Sequence, residues 1–103
     1  MQFDETANGS EVELSAGAEF ELSLSETQTA GYRWTLKSSG EPSCILLSQS
    51  SQPAGQTGGA GTHLWRFRVV APGNCLVALE YKRSWESSSE PARTFGMKVR
   101  VRP

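Results

Sequence analysis

Apolar and polar residues alternate with a period of two through five short segments of this chain, and Gly, Pro and Ser interrupt them at fairly regular intervals. A helix cannot bury such a pattern, because its apolar positions recur at three and four, whereas a strand with one wet face can. In Ala18-Glu19-Phe20-Glu21-Leu22-Ser23-Leu24 the apolar side chains take the even positions, and Tyr32, Trp34 and Leu36 keep that rule in the next run. Trp65, Phe67 and Val69 oppose Arg66 and Arg68; Cys75, Val77, Leu79 and Tyr81 share a face; Phe95, Met97, Val99 and Val101 point away from Gly96, Lys98, Arg100 and Arg102. Val12-Glu13-Leu14 and Cys44-Ile45-Leu46-Leu47 are shorter candidates, and no segment sustains helical spacing. About seven to eight such strands in 103 residues predict an all-β chain, an immunoglobulin-like β-sandwich forming one domain over residues 1–103. The Cys-Trp-Cys order of antibody domains is absent, since Trp34 precedes both Cys44 and Cys75.

Charge narrows the partners. Ten Lys+Arg against eleven Asp+Glu leave a formal charge of -1, without the basic field that draws proteins onto phosphate backbones, so no nucleic acid is expected. No apolar run approaches the roughly 18 residues that span a bilayer, and a soluble chain without a membrane partner is expected. Met1-Gln2-Phe3-Asp4-Glu5-Thr6 lacks the basic start and apolar stretch of a secretory signal, which leaves a cytoplasmic protein or a periplasmic or secreted one already stripped of its signal. Nothing in the sequence calls for a partner subunit of its own kind, so a monomer is expected.

The connections between strands are unequal. Ser38–Pro42 and Ala71-Pro72-Gly73-Asn74 are tight, the latter with the Pro-Gly pair that suits a type II turn. Glu26–Gly31, the Ser/Gln/Gly-rich excursion from Gln49 to Thr62, and Ser84–Ala92 are long and polar. Strand counting puts the three long connections at one end and the tight turns at the other, and long loops gathered at one end of a rigid scaffold are where binding resides.

Those three connections carry a resemblance. Thr27-Gln28-Thr29-Ala30-Gly31-Tyr32, then Gly58-Gly59-Ala60-Gly61-Thr62 before a strand with Trp65, then Tyr81-Lys82-Arg83-Ser84-Trp85 resemble, in order and spacing, the signature loops of the chagasin family of cysteine-peptidase inhibitors. That family typically reads Asn-Pro-Thr-Thr-Gly-Tyr/Phe in its first loop, is Gly-rich in its second, and has Arg-Pro-Trp in its third. This chain departs where the loops are stiffened: Thr27-Gln28 stands for Asn-Pro, Ala30 for the second Thr, and Ser84 for Pro. The resemblance implies a reversible inhibitor of papain-like cysteine peptidases, cathepsin-L type included, whose three loops wedge into the active-site cleft without being cleaved. It implies Thr29 over the catalytic centre and the Gly-rich segment extended along the cleft in main-chain pairing.

The residues suit those tasks. Thr29, Ala30 and Gly31 have the low bulk to approach a thiolate, with Gly31 expected to supply a positive φ. Gly58, Gly59, Ala60 and Gly61 let backbone approach backbone. Trp85 lies among Ser84, Glu86 and Ser87–Ser89, outside any alternating pattern, and is expected as an exposed anchor, with Arg83 able to stack on it or to meet a carboxylate. Trp34 and Tyr81 are expected in the core.

An enzyme fits poorly. The single histidine, His63, is expected on the face opposite Trp65 in an exposed surface role, and one histidine cannot build a metal set, so neither metal nor other cofactor is expected. Cys44 and Cys75 lack zinc or redox spacing and flank turns at the far end, while Glu11, Glu13, Glu19 and Glu21 lie on solvated faces. A carbohydrate-binding module would need several coplanar exposed aromatics where only Trp85 offers itself; an adhesion-type immunoglobulin-like module differs only in lacking the loop signature. Cys44 and Cys75 begin strands at one end and are expected to bridge in an oxidising compartment, the alternative being two small buried thiols.

Overall fold

The computed structural model describes residues 1–26, 32–52, 61–83 and 92–102, Arg83 by its backbone alone. It has eight strands among these residues: β1 (Gln2–Phe3), β2 (Glu11–Ser15), β3 (Glu19–Glu26), β4 (Tyr32–Ser39), β5 (Cys44–Gln52), β6 (Gly61–Val69), β7 (Gly73–Arg83) and β8 (Arg93–Arg102). One sheet runs β1-β3-β6-β5 and the other β2-β8-β7-β4. The result is an all-β, immunoglobulin-like sandwich.

Period-two patterning accounts for the packing. Phe20, Leu22, Leu24, Trp65, Phe67 and Val69 of the first sheet meet Trp34, Val77, Leu79, Tyr81, Phe95, Met97, Val99 and Val101 of the second, all buried. Each large apolar side chain so buried contributes about 1.5–3 kcal/mol. The outer faces carry charge. Across the β3–β6 pair Arg68 Nη2 reaches Glu19 Oε2 at 2.8 Å and Arg66 Nη2 reaches Glu21 Oε1 at 3.3 Å. Across the parallel β2–β8 pair Arg102 Nε lies 3.1 Å from Glu13 Oε1. These exposed pairs fix which face is wet more than they stabilise.

The structure differs from the sequence expectation in several places. A single 3-10 turn, Glu5–Ala7, capped by Asp4, follows the two-residue β1. Strand β5 continues through Gln52, so Gln49–Gln52 belong to a strand and not to the following loop; from Ser48 onward it is exposed and is held by its ladder to β6. Gly61 and Thr62 likewise open β6. Gly73 takes φ +138°, wider than the roughly +80° of a type II turn. A Cβ there would lie 2.8 Å from Ser43 Oγ.

The tight end is closed by short contacts. Val70 N–H donates to Ser43 O at 2.8 Å, and Ser43 Oγ–H to Pro72 O at 3.3 Å, joining the β4–β5 and β6–β7 connections. Cys44 and Cys75 face each other there from opposite sheets as buried free thiols, sulfurs 2.6 Å apart.

Candidate functional site

At the other end, the strand ends that flank the three long connections come together. Glu26, the last residue of β3, is opposite Gly61, the first of β6, and Gln52, the last of β5, is opposite Thr62. In the second sheet Tyr32, the first of β4, is opposite Arg83, the last of β7, and Tyr81 is opposite Arg93, the first of β8. The stretch 53–60 therefore joins neighbouring strands of one sheet, 84–91 joins neighbours of the other, and 27–31 crosses between the sheets.

Side chains lock the two sheets together at this end. Trp34 of β4 donates its indole N–H to Ser25 O at 2.9 Å and its backbone N–H to Glu26 Oε2 at 2.9 Å. Ser25 N–H in turn donates to Glu5 Oε1 at 2.7 Å. Tyr32 stacks on Tyr81 with centroids 5.4 Å apart, and the Arg93 guanidinium lies 5.4 Å from the Trp34 ring centroid. Trp34 and Tyr81 thus belong to the core and also form the floor of this end.

A polar cluster joins the strand ends that flank the first two connections. Glu26 is 2% exposed, and its carboxylate accepts from Trp34 N–H and from Ser51 Oγ–H, the latter at 3.1 Å, with His63 Nδ1 3.0 Å from Oε2. His63 Nε2 lies 3.1 Å from Gln49 Oε1. Burial raises the Glu26 pKa, but the Trp34 N–H, the His63 contact and charge, and the Ser51 hydroxyl outweigh it and hold the carboxyl below its ordinary range.

This overturns the expected place of His63. It lies on the same face as Trp65, because residues two apart on a strand point the same way, and its ring stacks on Trp65 with centroids 4.0 Å apart and planes within 2°. It is largely buried and not a surface group, and it is remote from the cysteines: Cys44 pairs with Val69, six residues along β6, about 20 Å away at a strand's rise. Glu26 and Ser51 were missed altogether. The legible signal for Glu26 was parity, since it continues the buried series Phe20, Leu22, Leu24.

Of the binding residues expected from sequence, the structure places Tyr32 at the start of β4, Gly61 and Thr62 at the start of β6, and the Arg83 backbone at the end of β7. Thr27, Gln28, Thr29, Ala30, Gly31, Gly58, Gly59, Ala60, Ser84 and Trp85 lie outside the described residues.

A family model described as chagasin family peptidase inhibitor I42 matches residues 13–99. The chain belongs to this family. Its family is one of inhibitors and not of enzymes. No curated protein matches the sequence. Among solved structures, the cysteine protease inhibitor EhICP2 from Entamoeba histolytica superposes with a TM-score of 0.88 at 18% identity, covering 98% of this chain and 94% of its own. Amebosin gives 0.76 at 24% identity, covering 98% and 97%. PbICP-C, solved in complex with falcipain-2, gives 0.63 at 21%, covering 92% and 91%. At these identities the likeness speaks for the fold.

Proposed function

We propose that this chagasin-family chain is a reversible, tight-binding inhibitor of papain-like cysteine peptidases that presents residues 27–31, 53–60 and 84–91 to the enzyme's cleft. The observation that carries the reading is the convergence at one end of the sandwich of all six strand ends flanking these segments. A groove between two lobes is filled best by several connections on one rigid platform, because the ordering cost of binding is then met largely by the fold. Thr29 with Ala30 and Gly31 would lie against the catalytic thiolate, Gly58–Gly61 along the substrate-binding cleft, and Trp85 with Arg83 at its flank. The cysteine protease inhibitor EhICP2 and the PbICP-C complex with falcipain-2 support this target class. The sugar-binding alternative gains no support: among the described residues the exposed large hydrophobics are Met1, Leu47, Val70 and Leu76, none aromatic.

Titration of papain and a cathepsin-L-type enzyme with the protein tests the reading. Activity is expected to fall stoichiometrically and to return on dilution, with the inhibitor chain intact. Trp85→Ala is expected to weaken inhibition by roughly thirtyfold, as loss of a buried aromatic anchor does, and Thr29→Arg to weaken it further by bulk at the centre. Full enzyme activity at micromolar inhibitor would overturn it.

A further inference from the structure

We propose that Glu26 is a positioning residue for inhibition: its buried carboxylate, shared by Trp34, Ser51 and His63, fixes the strand ends that set the first and Gly-rich connections relative to each other. The proposal rests on the reading that those connections meet the peptidase.

Glu26 occupies a core slot. It follows Phe20, Leu22 and Leu24 on the inward face of β3, and a leucine there would continue the apolar layer. Burying a carboxylate instead is unfavourable unless its partners compensate, and paired buried charges often stabilise no more than a well-packed apolar side chain. The fold alone therefore gives little reason for a glutamate at this position. What the carboxylate does that leucine cannot is hold three other strands at once. Trp34 belongs to β4, Ser51 to β5 and His63 to β6, while Glu26 ends β3. Strands β3 and β4 bracket residues 27–31, and β5 and β6 bracket 53–60, so one side chain ties the four roots of two connections across both sheets. Gln49 extends the network by its contact with His63 Nε2, and the Trp65 ring beneath His63 holds the imidazole in plane. Fixing loop roots lowers the ordering cost at association, which appears in affinity and not in contact area.

Glu26→Leu and Glu26→Gln separate positioning from folding. Titration against an enzyme of known active concentration gives the folded inhibitor fraction, and the inhibition constant is measured on that fraction well below the melting temperature. A merely structural role changes the melting temperature and the folded fraction and leaves the constant alone. Positioning predicts that Glu26→Leu stays folded yet weakens inhibition by roughly tenfold or more, mainly through faster dissociation. Glu26→Gln, whose amide oxygen can still accept from Trp34 and Ser51, recovers most of that loss. Should the leucine variant fail to fold, Ser51→Ala and His63→Gln, each removing one arm, are expected to weaken inhibition by a few-fold, and less than additively when combined. Inhibition constants within twofold of wild type in every folded variant, while Trp85→Ala remains weak, would overturn the proposal and leave the inhibitor reading standing. A wild-type chain that inhibits no papain-like enzyme removes both.

Discussion

Cys44 and Cys75 are placed to close a disulfide across the tight end of the sandwich, and the consequence can be worked out. The two residues lie on β5 and β7 in opposite sheets, both side chains are buried, and their sulfurs are in contact. Gly40 packs directly over them: a Cβ on it would stand 2.8 Å from Cys75 Cβ and 3.1 Å from Cys44 Cβ, and its φ is +88°. Little room exists there for the pair to be anything but adjacent. They are 31 residues apart in sequence, so the bridge would close a long segment. In the chain-entropy model such a loop removes roughly 12 cal/mol/K from the unfolded ensemble, or about 3.7 kcal/mol at 25 °C. With an unfolding entropy near 2.1 cal/mol/K per residue, that raises the melting temperature of a domain this size by roughly 17 °C.

The bridge is not expected to form readily in the folded protein. Both thiols are buried, so an oxidant in solution reaches neither, and burial with the contact and charge of Cys75 pushes the Cys44 thiol up to about 12, which leaves Cys44 almost no thiolate for exchange near neutrality. Refolding in a mixture of reduced and oxidised glutathione supplies the oxidant while the chain is open; the two thiols lose two electrons and two protons to one glutathione disulfide, giving two reduced glutathiones. Counting thiols in the denatured, unreduced product should then give none, against two for protein kept reduced. The bridged form should melt higher by an amount of the order calculated, and reduction should return it. Two reactive thiols after oxidative refolding, or a bridged form no more stable than the reduced one, would refute the reasoning.

Two further outcomes follow from the loop-bearing end. The folded Glu26 carboxyl lies below its ordinary value of 4.5, so its contribution to stability is complete above that value and is lost as pH falls through the folded value. Among the described residues the groups facing it are His63 of β6, the Ser51 hydroxyl of β5 and the Trp34 amide of β4; the stability difference between wild type and Glu26→Gln should shrink as urea melts are taken below pH 4.5, and a constant difference would contradict this. Replacing Gln28 and Ser84 by proline, the residue the family carries at those places, should tighten inhibition about two- to fivefold each by removing about 0.4–1 kcal/mol of free-state entropy; weaker inhibition would mean that the bound backbone at these positions is incompatible with proline.

Parity along a strand explains both what was legible in the sequence and what was not. Where a strand has one dry and one wet face, as in β3, β6 and β8, the amino-acid order alone assigns the large core side chains, and Phe20, Trp65, Phe67, Met97 and Val99 are buried as the alternation requires. The rule fails where burial does not write the pattern. Strand β1 has two residues and no period, and the outer half of β5, Ser48–Gln52, is exposed throughout, so only its backbone ladder to β6 marks it as strand. The residues proposed to meet the peptidase stand out in the sequence as small, glycine-rich and aromatic exceptions to alternation, since a loop selected for contact need not bury anything. The supporting cluster was illegible for the opposite reason: Glu26 and His63 obey the alternation, in phase with Leu24 and Trp65, but carry polar side chains in slots where the pattern expects apolar ones. A charged residue that keeps core parity at the last residue of a strand, followed by a long connection, is therefore better read as an inward-facing tether than as the first residue of the loop. The same parity would have placed His63 beside Trp65, and the two together mark the end of the sandwich at which the inhibitor reading needs rigid roots.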